Sequence, residues 1–597
     1  MATYETPVLI VGGGGFGLCT SIFLARNGID SLLIERHPSP APRPKARYLN
    51  QRAMEVFRQY GIADAIYERS IPLEYISKTR WCTSLGGEGR YDRKVLFEIE
   101  TFGGGSLAPH YRANSPCEST IYPQVRLEPL LREHAERLSL GRQWFNCSLV
   151  DLQQDPEGVT ATIEDRSTHE QHTVRALYLV AADAGKTVGP IVGAKLQGTP
   201  ELVDMVTIYF RADLAKYLDD DNSFAYWFAN PYGDTSTWGT GILGKLGPTR
   251  FDRHSEEWQF HFSFKSDDPA RFDEDQLIPR MRAILKIPDL EPKVLSIGHW
   301  VVQGVLADRF RFGRVLLGGD AAHRHTPTTG LGLNSAIQDA QNLAWKLALV
   351  LKGQAGDALI DTYEAERRPA AERNVKWALF TFSNHQLTGA AIGINPTDPQ
   401  LSRANFEALL AQGADGESRR HRFREVMKVH CTEYQANDLE IGVQYDSGAL
   451  VPDGTPPIQR DPTGRYYVPS TRPGARLPHA WIEREGCALS TLDLVPCDGF
   501  VLITGKSESP WAMAMQDLAQ RVGVRVDIAC IHDGGQLQDP SHNWRNLREI
   551  GDDGALLVRP DQVIAWRSVG GRGSPMQELE AVLRLVTRAN APTAAVS

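Results

Sequence analysis

The sequence contains no C-x-x-C pair and no cysteine–histidine cluster at zinc spacing. Its eight cysteines (Cys19, Cys82, Cys117, Cys147, Cys431, Cys487, Cys497 and Cys530) are scattered. This excludes a dithiol redox centre and a structural zinc, fits a reducing, cytoplasmic setting, and leads us to expect no metal. Positive charge is not in excess either. Against 73 acidic residues stand 64 Lys and Arg, a net charge of −9, which speaks against nucleic acid or an anionic membrane as partner. No uncharged apolar run reaches the roughly 20 residues that a membrane span needs. The uncharged stretch 7–25 follows an acid rather than a base and carries four consecutive glycines, unlike a signal peptide. A G-x-S-x-G elbow and an H-E-x-x-H helix are also absent. What remains, 597 residues with 42% hydrophobic and 23% charged, is the composition of several ordinary globular domains.

The first informative segment is the N-terminus. Val8-Leu9-Ile10-Val11 is the apolar, β-branched run of a strand buried on both faces. A glycine turn follows, residues 16–27 read as a helix capped by Gly28, and Leu32-Leu33-Ile34 forms a second strand ending at Glu35. Within this unit Gly12, Gly14 and Gly17 fit G-x-G-x-x-G, the dinucleotide fingerprint. The first glycine permits the turn, the second lets backbone approach a pyrophosphate, and the third lets helix meet strand. The phosphate charge would rest on the helix N-terminus. Glu35 is placed to accept hydrogen bonds from ribose hydroxyls and disfavours a 2′-phosphate, so the adenosine half reads as FAD or NAD.

About three hundred residues later a second strand, Arg314 to Asp320, ends in two glycines and an acid. A loop holding Pro327, Gly330, Gly332, Leu333 and Asn334 then runs into a helix with apolar residues at helical spacing. A distant segment therefore completes the first site, as a ligand as long as FAD requires.

Together, Gly12-x-Gly14-x-x-Gly17 with Glu35, Gly318-Gly-Asp320-Ala-Ala-His, and Pro327-x-x-Gly330-x-Gly332-x-Asn334 with Asp339-x-x-Asn342 resemble the class A FAD-dependent aromatic hydroxylases. The match is to the branch of phenol and 2,4-dichlorophenol hydroxylases and spans nearly the whole chain. The resemblance implies FAD as cofactor, NADPH or NADH as transient co-substrate, and O₂ and an aromatic small molecule as reactants. Oxygen would pass to a phenolic or polycyclic aromatic carbon via a flavin C4a-hydroperoxide. It also implies that Asp320 contacts the ribityl chain and that the loop from Pro327 to Asn334 lies along the isoalloxazine. Arg36, Arg47, Gln124, Arg126 and Asp183 are implied as further FAD contacts. The residues alone leave Arg47 and Arg126 open between cofactor contacts and solvated charges. Asp183 heads the counterpart of the family's Asp-Gly motif, where Ala184 replaces the glycine. Pro327 and His323 are the catalytic candidates, with His325 a second candidate for the phenolic proton. Alternatives are other FAD monooxygenase chemistry on a polyketide, such as epoxidation or oxidative rearrangement, or a flavin-binding paralogue without turnover.

The fold class expected is α/β: a Rossmann-like FAD-binding domain (1–80, 106–198 and 296–390) with an inserted antiparallel-sheet substrate domain (81–105 and 199–295). A helical segment and linker (391–450) follows, then a thioredoxin-like domain (451–597). Strands are expected at Val203–Phe210, Phe224–Ala229, Thr235–Gly241 and Trp258–Phe264. Their aromatics are mostly core, but Tyr226, Trp227 and Trp238 are expected to line the substrate pocket. Lacking C-x-x-C, the last domain is expected to be structural or to form a homodimer.

Overall fold

The computed structural model describes residues 2–229, 240–264, 273–395, 397–506, 508–571 and 573–589. The described residues form five sheets, of which three organise the fold. The first is mostly parallel: Ala2–Val11 is central, flanked by Ser31–Glu35 and Gln171–Ala181, with Arg142–Phe145 and Val315–Leu317 beyond. Val8, Leu9 and Ile10 are wholly buried because helices Gly15–Arg26 and Leu331–Leu351 cover the sheet. The two strands carrying the glycine motifs, Ala2–Val11 and Val315–Leu317, both pair with Gln171–Ala181. Two chain segments three hundred residues apart thus end at the same sheet edge.

The second sheet has eight strands, in the order His323–Arg324, Lys293–Ala307, Leu196–Arg211, Glu257–Phe264, Ile242–Gly247, Ser223–Phe228, Lys78–Cys82 and Val95–Glu100. All pairs are antiparallel except Ser223–Phe228 with Lys78–Cys82. Ile242–Gly247 was not anticipated, since two glycines and a lysine conceal its strand character. Thr235–Gly241 falls almost entirely outside the described residues, as does Trp238. One face packs under the Glu274–Leu285 helix; the other meets Tyr48, Phe102 and the helical segment that contributes Phe406, Phe423 and Met427.

The third sheet, in the C-terminal domain, pairs Phe500–Thr504 in parallel with Val526–Cys530 and antiparallel with Ala555–Val558, followed by Ile564–Ser568. Helices Pro510–Val522 and Pro575–Thr587 bury Trp511, Leu518, Leu579 and Leu583 against it. Trp345, Leu349 and Leu359 of the preceding helices join this cluster, and the other face of the sheet packs separately on Leu477, Ile482 and Trp544. All eight cysteines are unbridged, and no helix among the described residues is long and apolar enough to cross a membrane.

Candidate FAD and substrate site

The glycine turn is built by close approach. Gly12 has φ +116°, and a Cβ there would lie 2.3 Å from the Ala182 carbonyl oxygen; at Gly17 it would lie 2.0 Å from the Gly12 oxygen. No side chain fits either place. Gly14 differs. Its φ of −81° suits any residue, and an added Cβ would meet only Glu128 Oε1, at 3.5 Å. The protein supplies no steric reason for glycine at 14, whereas a pyrophosphate approaching the Gly15–Arg26 helix supplies one. Gly332 repeats the pattern in the first turn of Leu331–Leu351, where a Cβ would meet only His325 Nδ1, at 3.9 Å. The two helix N-termini adjoin: a Cβ on Gly15 would lie 2.7 Å from Leu333 Cδ1. This cradle fits a dinucleotide whose diphosphate meets one helix end and whose ring system meets the other.

The acids and amides around the cradle are held by backbone. Glu35 Oε2 accepts from Gly13 N (2.7 Å) and Oε1 from His37 N (2.8 Å). Gln124 accepts from Ala46 N (3.3 Å) and donates to Glu128. Burial raises the Glu128 carboxyl, although hydrogen bonds from Gln124 and Ala41 N and the nearby Lys45 oppose that shift. Asp183 accepts from Gly185 N, Thr187 N and Val188 N (3.0, 2.6 and 2.9 Å), so it caps the next short helix. Asp320 is exposed at the end of its strand. Lys186 lies among Arg36, Lys45 and Arg324, which with its partial burial lower its pKa.

In the distal loop Thr329 and Gly330 take φ +62° and +66°. Asn334 fastens the loop to the first domain: its Oδ1 accepts from Asn50 N (3.0 Å) and its Nδ2 donates to the Tyr48 and Gly330 carbonyls (3.0 and 2.7 Å). Pro327 is exposed. His323 is fully buried, with Nε2 2.6 Å from Asp339 Oδ2; Asp339 also accepts from Arg367 Nε (2.7 Å) and Gly319 N (3.2 Å). Neither ring nitrogen of His325 has a hydrogen-bond partner. Burial, and the neighbouring His323, keep it neutral.

Arg126 meets the second sheet rather than open solvent, pairing with buried Glu257 and the Leu246 carbonyl. Arg47 lies 5.0 Å from the centroid of Phe224 and donates to the Lys245 carbonyl (3.5 Å); burial lowers its pKa to about 10. The pleat separates the two expected pocket aromatics: Tyr226 packs on the Glu274–Leu285 side, with its hydroxyl on Asp220 (2.8 Å), while Trp227 faces Tyr48, Phe102 and the helical segment. Sequence reasoning missed Tyr48, which braces Gly330, together with its partner Glu440, whose pKa burial raises to about 8. It also missed a buried cluster of His385, His430 and Glu433 behind Trp227. These contacts span tens to hundreds of residues and leave no local signature.

Residues 5–378 match the model of the FAD binding domain family, and residues 470–588 that of the aromatic-ring hydroxylase C-terminal family. The chain belongs to the FAD-dependent aromatic hydroxylases. It is 34% identical over 98% of both chains to the 2,4-dichlorophenol 6-monooxygenase of Delftia acidovorans. To the phenol 2-monooxygenase of Pseudomonas sp. strain EST1001 it is 32% identical, over 97% of this chain and 92% of that one. The flavin-dependent monooxygenase PieE, solved with FAD and substrate, superposes with a TM-score of 0.91 at 34% identity, covering 98% of this chain and all of PieE. The hydroxylase is thus a flavoprotein monooxygenase using FAD, in a family that typically takes electrons from NAD(P)H.

Proposed function

We propose that this hydroxylase inserts one oxygen atom of O₂ into a phenolic or polycyclic aromatic held between the Trp227 face of the second sheet and the loop from Pro327 to Asn334. The observation that carries this reading is the pair of glycines, Gly14 and Gly332, whose missing side chains the protein does not explain. Both sit at helix N-termini that meet at one sheet edge, between two separately built layers.

FAD, when bound, supplies hydride acceptance and oxygen activation; the chain's residues bind, orient and shield it. Gly12, Gly14 and Gly17 shape the diphosphate turn, with Glu35 at the ribose end. Arg36, Arg47, Gln124, Arg126, Asp183 and Asp320 line the remaining path, and Gly330, Gly332, Leu333 and Asn334 present backbone to the ring system. Trp227, Phe224 and Tyr48 form an apolar wall that excludes water from the reacting face. His323, committed to Asp339, fixes the loop backbone at Gly319 beside it. The neutral His325 imidazole has a nitrogen free to accept a phenolic proton.

The test is NAD(P)H consumption by the purified yellow protein against a panel containing phenol, 2,4-dichlorophenol and hydroxylated polycyclic quinones, with product masses read under ¹⁸O₂. A member that accelerates NAD(P)H oxidation and gains one labelled oxygen supports the reading. Label arriving from enriched water instead would overturn it.

A further inference from the structure

The second sheet carries a polar stripe that the proposed chemistry does not use. Phe260 and Phe262 pack on the Glu274–Leu285 side, so His261 between them points to the other face. Its register partner Thr207, between Val206 and Ile208, does the same. That face is the one of Trp227: Ile242, paired with His261 from the next strand, packs in one cluster with Trp227, Phe224 and Tyr48. Two residues along that strand is Gly244, where a Cβ would lie 2.0 Å from Arg47 Nη1. The Arg47 guanidinium therefore lies over the residue pair next to Ile242 and His261 on this face.

Hydrogen bonds fix which nitrogen of His261 carries the proton. Trp300 Nε1, which can only donate, reaches Thr207 Oγ1 (2.9 Å), and the same oxygen is 2.7 Å from His261 Nδ1. The one acceptor that these contacts offer the Thr207 hydroxyl proton is Nδ1, so the ring's own proton sits on Nε2. Burial inside the molecule, and then the charge of Arg47, lower the His261 pKa to about 3. The ring is thus neutral, and Nε2–H donates, at any pH above that. Among the described residues Nε2 has no partner, and neither His261 nor Arg47 is sealed from a ligand.

Arg47 is equally uncommitted. It donates to the Lys245 carbonyl (3.5 Å) and lies over Phe224, but no described carboxylate pairs with it. The acid on this face, Glu257, is already shared by Arg126, Arg211 and Tyr209. A guanidinium and a neutral N–H donor thus stand side by side with no acceptor of their own, a pairing that suits an oxygen carrying negative charge.

We infer that His261 Nε2–H and the Arg47 guanidinium hold an acidic oxygen of the substrate, an ionised hydroxyl or a carboxylate on the aromatic ring, and that the site thereby selects such rings over neutral ones. This rests on the proposed placement of the substrate against the Trp227 face and adds what orients the ring there. Thr207 and Trp300 are positioning residues, since they act through the tautomer of His261.

The experiment uses the FAD-loaded protein and two probes: the phenol-panel member bound most tightly, and its O-methyl ether, which keeps the ring and loses the acidic proton. Flavin absorbance gives the Kd of each, and difference absorbance of the bound hydroxyl probe gives the pH at which it ionises. The wild type should prefer the hydroxyl probe by about tenfold or more and ionise it about one pH unit lower than in free solution. His261→Phe keeps a ring without a donor. In it the preference should fall about tenfold and the ionisation shift should shrink, with FAD content and the ether's Kd unchanged. His261→Gln, whose amide N–H reaches the place of Nε2–H, should recover most of both, and Thr207→Val should fall between wild type and His261→Phe. Wild-type preference and ionisation in His261→Phe would overturn the inference, as would equal losses for the two probes. If His261→Phe does not fold, Thr207→Val decides by the same two readouts. Trp227→Leu separates the two levels. An unchanged Kd for both probes there removes the proposed substrate placement, whereas weaker binding there with wild-type preference in His261→Phe removes the anchor alone.

Discussion

Glu366 and Glu55 stand where the cofactor-binding domain meets the C-terminal domain, and every carboxylate oxygen there is answered from within the chain. Glu366 accepts from both terminal nitrogens of Arg559 (2.7 and 2.8 Å), from Lys346 (2.7 Å), from Asn342 (2.7 Å) and from Ala449 N (2.7 Å). Glu55 is shared by Arg52, Arg476 and Ser115. At the other seam, around the distal loop, His325 has neither nitrogen hydrogen-bonded, and Glu440 Oε2 and Trp81 Nε1 are buried without a hydrogen-bond partner. Buried polar groups are costly unless satisfied. The carboxylates of the first seam are therefore satisfied by the fold, although Arg52 Nε, Arg476 Nη1 and Trp345 Nε1 beside them are buried without a hydrogen-bond partner; the second seam leaves buried acceptors unpaired as well as donors.

The sharpest way to break that contrast is at Gly14. Because a Cβ at Gly14 meets only Glu128 Oε1 and the backbone keeps an ordinary φ, Gly14→Val should fold, with circular dichroism like the wild type, and lose its FAD entirely. Gly12→Val, blocked by the Ala182 carbonyl at φ +116°, should instead damage the fold. Retention of stoichiometric FAD by Gly14→Val would show that the open cradle is not the diphosphate site.

The second test falls on the first seam. Burial would raise Glu366, but Arg559 and Lys346 outweigh it and hold its pKa at about 2. Glu366→Gln leaves those two cations facing an amide, and breaking a buried pair in this way costs about 3–5 kcal/mol. A large fall in Tm is expected, with the flavin spectrum of the folded fraction unaltered. The sign with pH follows. The depressed pKa stabilises the fold in full above the ordinary glutamate value, and that stability is lost as pH falls from about 4.5 towards 2. The wild type should therefore lose Tm through that acid window more steeply than Glu366→Gln; parallel curves would refute the assignment.

What could be read from the sequence follows the same division. Gly12, Gly14, Gly17, Glu35 and the strand-helix-strand around them are local, so spacing alone revealed them. The doubly buried strands announced themselves by continuous apolar runs. Arg126 could not be placed, because its partner Glu257 belongs to another sheet, 131 residues on. Alternation puts Tyr226 and Trp227 on opposite faces, but which of the two faces meets Tyr48 and the helical segment depends on packing that no local pattern encodes. Ile242–Gly247 stayed hidden because Gly244 answers a tertiary demand: a Cβ there would lie 2.0 Å from Arg47 Nη1.

The smallest effect concerns Ala184, where the family pattern has glycine. The structure gives it φ +56°, followed by Gly185 at +65°, so the left-handed turn is shared by a residue that resists it and one that does not. Left-handed backbone costs alanine about 1–2 kcal/mol. That cost is borne because Asp183 gathers three backbone N–H groups just beyond it, while Arg324 donates to the Ala184 carbonyl (2.6 Å). Ala184→Gly removes the strain but frees the unfolded chain, which returns about 0.4–1 kcal/mol. The strain is the larger of the two, so the variant should gain about 0.5–1 kcal/mol, a Tm rise of about 1–2 °C, with FAD bound slightly tighter. Ala184→Val, β-branched and equally left-handed, should lose more than the glycine gains. A glycine variant no more stable than the wild type would mean that Asp183 and Arg324 impose the turn at no cost to alanine, and that Ala184 is neutral to cofactor binding.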